Sequence, residues 1–223
     1  MTGGMNTDEP LSRNDYNFLY DRYFFIDDRF RNNFYPLTEN YQHQYDATYV
    51  VGNFEVYKKV TDSEGDPIPA TAYLDPDGIY ADPTLIHLET DSVRGNWKRL
   101  NEYVDYEINR MLGYIRVNSS TAQNEIAIAY TITNLNLSTK IFGTDQDSTG
   151  TNFKQEYINC ITTNEGDTVC EYVIKLKLIK ATKHQSSPSS ATWPLMFKNV
   201  YSLGGSNIGA STLEVDIALD ESA

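Results

Sequence analysis

The sequence predicts a mainly β fold: an antiparallel β-sandwich-like module, or a pair of them, with a few short helices. Three observations lead there. Apolar and polar residues alternate with period two in short segments from Thr48 onward, turn clusters such as Gly65-Asp66-Pro67 and Asp75-Pro76-Asp77-Gly78 separate those segments, and no apolar run approaches the roughly 18 residues of a spanning helix. A length of 223 residues suits one large β domain or two smaller lobes sharing a sheet system. Seventeen Tyr and nine Phe supply enough ring area for a core, which excludes a disordered tail. The 31 acidic and 18 basic residues leave a net charge of −13, which repels phosphate backbones and anionic membrane surfaces, so nucleic acid is excluded as a partner.

Taken in order, residues 1–11 read as a loose end. They carry neither a basic n-region nor an apolar h-region, so they are no signal peptide, and the chain is expected to be an excerpt of a longer precursor. Tyr16, Tyr20, Tyr23, Asp27, Phe30 and Phe34 lie near helical spacing, and a helix is predicted over part of 12–34 with its aromatic stripe in the core. Strands are predicted over Tyr49–Val60, Leu85–Glu89, Tyr114–Val117, Glu125–Thr133, Cys170–Lys180 and Thr212–Leu219. In the last, Leu213, Val215, Ile217 and Leu219 face one way and polar residues mostly the other, as in a strand with one buried and one wet face. Residues 12–95 are expected to form a first lobe and 96–223 a second. A membrane-barrel wall fits less well, because few rows are uniformly apolar over about 10 residues with aromatic ends.

The second lobe holds an insertion, 143–171, with two chemical signals. Cys160 and Cys170 flank Ile161–Val169, with Asn164-Glu165-Gly166-Asp167 as turn residues, a hairpin that a disulfide could close. Such a bridge would add about 2 to 3 kcal/mol and needs an extracytoplasmic compartment, whereas two thiols without a nearby histidine do not complete a zinc site. Asp145, Asp147, Thr149 and Glu156, with Gly150 between them, repeat the oxygen spacing of an EF-hand calcium loop. The flanks are not helical, so an ordinary acidic loop competes with calcium there.

Nothing in the chain spells catalysis. His43, His87 and His184 stand in unrelated contexts, Ile208 breaks a nucleophile elbow at Gly204-Gly205-Ser206, and no phosphate-binding glycine loop occurs. The expectation is a protein that is not an enzyme.

The most specific stretch is 192–203. Thr192 suits an N-cap, Pro194 a first turn and Gly204 a left-handed stop, so a docking helix of two to three turns is predicted, with Trp193, Met196, Phe197 and Val200 on its apolar face. Trp193, Leu195, Met196, Lys198, Asn199, Tyr201, Ser202, Leu203 and Gly204 also match a block that recurs in the SprA-like proteins of gliding motility and type IX secretion. The aromatic segment Tyr23–Phe34 resembles that family too, as does the unit running from Asn96 through Tyr106, Ile108, Gly113, Ile115 and Val117 to Thr131. That unit reads as a strand, a turn at Gly113 and two further strands in a small meander. The resemblance implies a module at the cell surface or outer membrane, part of a protein-transport translocon, whose partners are proteins or secreted cargo. The rival expectation is a carbohydrate-binding or adhesin module in which Tyr80, Trp97 or Tyr103 stack on sugars.

Overall fold

The computed structural model describes residues 13–14, 16–34, 49–61, 66–74, 76, 92–118, 121, 123–135, 139–143, 155–181 and 192–203. The chain divides into two units, 20–198 and a smaller one formed by 1–19 with 199–223. In the smaller unit Phe18 bridges Tyr201, Leu19 N donates to Val200 O at 2.7 Å, and Arg13 Nε donates to Ser202 O.

The larger unit is mainly β. Among the described residues its elements are the strands β1 (Tyr23–Phe25), β2 (Tyr49–Val60), β3 (Ile68–Tyr73), β4 (Ser92–Arg99), β5 (Tyr106–Asn109), β6 (Tyr114–Val117), β7 (Ile126–Asn134), β8 (Thr139–Gly143), β9 (Gln155–Thr162) and β10 (Thr168–Lys180), and the helix α1 (Asp28–Phe34). Five strands close into a mixed barrel in the order β7-β2-β4-β3-β10, sealed by β7 against β10. Its ladders are antiparallel except β3 with β10, where Ile174 faces Ala70 and Lys177 faces Tyr73 in parallel register. The sandwich-like expectation is corrected here. Alternation specifies which face of a strand is buried but is equally served by a sheet that curls onto itself.

The barrel interior is filled. Tyr57, Ala70, Ala72, Trp97, Ala127, Ala129, Leu176 and Leu178 form its core, small side chains making room for the two large rings. Trp97 is fully buried, and its Nε1 donates to the Ala70 carbonyl at 3.2 Å. The other face of β7 is buried as well: Ile126, Ile128, Tyr130 and Ile132 are all fully covered. This double burial explains the near-continuous apolar run of that strand.

A three-stranded sheet, β1-β6-β5, lies against the outer face of the barrel, where Tyr106 meets Phe54 at 6.1 Å between ring centroids. The predicted meander is present as β5 and β6 around Gly113, whose φ of +63° favours glycine, and Tyr106, Ile115 and Val117 are buried while Ile108 is half-buried. Its third strand is β1, not the strand that follows in sequence; β7 belongs to the barrel. The predicted N-terminal helix shrinks to α1, because Tyr23–Phe25 pairs with β6 instead. The barrel draws β2 and β3 from before residue 95 and β7 and β10 from after it.

The seam between β7 and β10 is closed over only part of its length. Lys177–Lys180 pairs with Ile126–Ile128, but further along each strand takes a separate partner, β8 on β7 at Thr131–Asn134 and β9 on β10 at Thr168–Ile174. The strands predicted over Leu85–Glu89 and Thr212–Leu219 lie outside the described residues.

Candidate functional site

Three groups of residues stand out. The first is the block around Trp193. Leu195 N donates to Thr192 O at 3.1 Å and Met196 N to Trp193 O at 3.2 Å, a single 3-10 turn over Trp193–Leu195. The docking helix is therefore corrected to this turn. Met196 is already extended at φ −68°, ψ 128°, and Phe197 N donates to Tyr23 O at 2.9 Å, so the edge of β1 captures the chain before a helix can propagate. Met196 bridges Phe24, and its sulfur accepts from Asp21 N. The Phe197 ring lies at the centre of an aromatic cluster, edge-on to Phe25 at 5.0 Å and Phe34 at 4.9 Å and stacked on Tyr114 at 5.3 Å.

Of the residues that carry the resemblance, Leu195 and Met196 are buried, and the Lys198 ammonium sits 4.8 Å from the Trp193 ring centroid, where burial and then Arg31 lower its pKa. Asn199, Ser202 and Leu203 are exposed and Tyr201 half-buried, while Gly204 lies outside the described residues. The expected buried face holds for Met196 and Phe197, whereas Trp193 and Val200 are only partly covered.

The second group is a buried charge cluster between the small sheet and the barrel. Asp27, four residues beyond the start of β1, accepts from Lys177 Nζ at 3.0 Å, Tyr130 OH at 3.2 Å, and Arg29 Nη1 and Arg29 N at 3.0 Å each. Burial pushes the Asp27 carboxyl up, but the Lys177 charge, the Arg29 backbone donor and the Arg29 charge outweigh it, and the net shift is downward. The group is a fixed carboxylate, unsuited to donate a proton at neutral pH. Lys175 and Lys180 on the same strand are buried too: Lys175 lies over the Tyr73 ring at 5.0 Å, and Lys180 Nζ donates to Asn124 O at 2.9 Å, its pKa lowered by burial against the pull of Asp21 and Glu125. Sequence reasoning missed this cluster. Lysines alternating with leucines read as a wet face, and the partner that makes Lys177 an interior residue is 150 positions away.

The third group rims the inner face of β2 and the loop after β4. Tyr57 OH donates to Glu55 Oε2, Arg99 Nη2 pairs with Glu55 Oε1, Arg110 Nη2 pairs with Glu102 Oε2 at 3.3 Å, and Arg110 Nη1 donates to Gly52 O at 2.6 Å. Burial and then Glu55 raise the Tyr57 phenol, while burial and then Glu102 push Tyr106 up to about 12. Both hydroxyls stay protonated, so the rim is a set of matched charges rather than an acid, base or nucleophile.

Beside that rim, the loop 101–105 presents Tyr103 and Val104 to solvent, 83% and 66% exposed. Tyr103 holds φ +67°, and the loop is braced by Tyr103 N to Tyr106 O, Asp105 N to Asn101 O, Asn101 N to Asp105 Oδ2, and the Asn118 side-chain amide to Val104 O. An aromatic residue in the left-handed region is uncommon and costs about 1 to 2 kcal/mol. Of the sugar-stacking candidates, Trp97 is inside the barrel, Tyr103 is exposed, and Tyr80 lies outside the described residues.

Asp145, Asp147 and Thr149 lie outside the described residues, and Glu156 stands in β9. The same holds for His43, His87 and His184. Among the described residues no group of three His, Cys, Asp or Glu side chains converges as a metal site, and no helix is long and apolar enough to cross a membrane. Cys160 and Cys170 lie on opposite strands at an irregularity of the β9–β10 ladder, which passes from Val169 facing Ile161 to Glu171 facing Ile158. No protein-family model matches the chain, and no curated protein matches it either.

Proposed function

We propose that this chain is a non-enzymatic β module of an SprA-like outer-membrane protein, acting as a structural and partner-contact part of the type IX secretion translocon and of the gliding apparatus. The observation that carries the reading is the Thr192–Leu203 block. It is the stretch with the most specific resemblance, and the first half of it fastens the chain to the edge of β1 through Met196 and Phe197. A barrel filled by Trp97 and Tyr57, and ionisable groups locked in pairs, favour a contact and scaffold role over chemistry on a small molecule. The exposed Tyr103 and Val104, on a braced loop, are the surface offered to a protein partner or secreted cargo.

Cells whose full-length protein lacks residues 12–219 are expected to retain type IX cargo while the shortened protein reaches the surface at normal level. Normal secretion with lost adhesion would instead favour a surface-binding module. Trp97 is buried and takes no part in that second reading, which then rests on the exposed Tyr103.

A further inference from the structure

We propose that Cys160 and Cys170 form an intramolecular disulfide that locks the β9–β10 arm in register, a covalent site independent of the secretion reading. The arm needs such a lock. Among the described residues β9 pairs with β10 alone, and β10 joins the barrel only from Ile174 onward, so Thr168–Val173 with β9 forms a two-stranded ribbon. Thr162 and Asn164–Val169 are exposed around a tip closed by Thr163 N to Asp167 O at 2.7 Å and Gly166 N to Thr163 O at 3.0 Å. An isolated two-stranded ribbon is marginal in water.

The cysteines fall where the ladder is weakest. Thr168 faces Thr162 and Val169 faces Ile161, then Glu171 faces Ile158, so Cys170 alone stands opposite the Asn159–Cys160 step, a β-bulge. Facing residues of an antiparallel pair have Cα atoms about 4.5 to 5.5 Å apart, inside the roughly 4.4 to 6.8 Å that a disulfide spans. A bond there replaces the hydrogen bonding that the bulge interrupts and stops the ribbon from slipping by one residue.

The reaction is a thiol–disulfide exchange. One thiolate attacks a low-molecular-weight disulfide, breaking its S–S bond and releasing one small thiol; the second thiolate attacks the protein sulfur of the mixed disulfide, forming the Cys160 Sγ–Cys170 Sγ bond and releasing the other small thiol, so the two protons and two electrons leave on two molecules of small thiol.

The test uses the full chain, reduced and then equilibrated in a glutathione redox buffer, alkylated and digested. The expected product is a monomer in which the Cys160 and Cys170 peptides are joined and two hydrogens lighter than the reduced pair. Amide exchange across Thr162–Val169 should be on the order of tenfold slower in the oxidised than in the reduced chain, with β7 unchanged. Cys160→Ser and Cys170→Ser should each show the fast exchange of the reduced arm under both conditions, again with β7 unchanged. Complete alkylation of both thiols in the oxidising buffer, or linkage only between two chains, overturns the bond. Equal exchange in the joined and reduced forms overturns the lock, and loss of β7 protection in either serine variant would mean that the cysteines serve core packing instead.

Discussion

Asp27 is a carboxylate held almost out of water by four donors from three residues, and two of those residues belong to barrel strands. A charge so placed is far better kept than orphaned. Lys177→Met should therefore cost about 3 to 5 kcal/mol in urea unfolding, since it removes the one buried ammonium that offsets the carboxylate. Because the folded pKa of Asp27 lies below the unfolded value of 3.8, its contribution is fully present above that value and fades as pH falls through the folded one. The stability gap between wild type and Asp27→Asn should accordingly be widest near neutrality and narrow below about pH 4; a gap that ignores pH would count against the ion pair. Gly113 and Gly166 provide a second residue-scale contrast. Both hold positive φ, but a Cβ at Gly113 would enter the Phe30 ring whereas one at Gly166 meets nothing within 4 Å. Gly113→Ala should cost about 3 kcal/mol or more and Gly166→Ala about 1 kcal/mol, read from the same denaturation curves. Equal losses would show that backbone strain alone decides.

At the scale of elements, Trp97 on β4 is the side chain around which the barrel closes. Trp97→Ala should lose about 3 to 5 kcal/mol, and Trp193→Ala, on a half-exposed ring, clearly less; matching thermal shifts would mean the barrel is not organised around Trp97. What was legible at this scale is uneven. Tyr49–Val60 and Tyr114–Val117 are strands with the limits that period two gives them, and β7 and β10 begin and end within one or two residues of expectation, because alternation and turn residues are local signals. The helix expected after Thr192 failed for a non-local reason. Thr192 makes no side-chain cap, its hydroxyl accepting from Ala181 N instead, and the open edge of β1 offers Phe197 N a ladder partner that a second helical turn would forgo. The same competition turned the front of the aromatic segment into β1, leaving only Asp28–Phe34 helical. The Asp27–Lys177 cluster was illegible from sequence, and Tyr103 gave no sign of its left-handed backbone.

For the whole molecule, mainly β was readable and barrel closure was not. Closure depends on β10 reaching β3 on one side and β7 on the other, a choice of neighbours that no hydrophobic period encodes. The charge of −13 belongs to this scale also: self-repulsion opposes compaction, so moderate salt should help rather than harm the fold. The tie between the two ends of the larger unit has one more consequence, in the order of events by which the chain becomes native. Asp27 finds Tyr130 across 103 residues and Lys177 across 150, and Asp21 finds Met196 across 175. Contacts of such separation make for slow folding, since the chain must surrender the entropy of long loops before they form. β1 is synthesised well before the segment that covers it: until Met196 emerges, its outer edge stays unpaired by the segment that covers it in the native state.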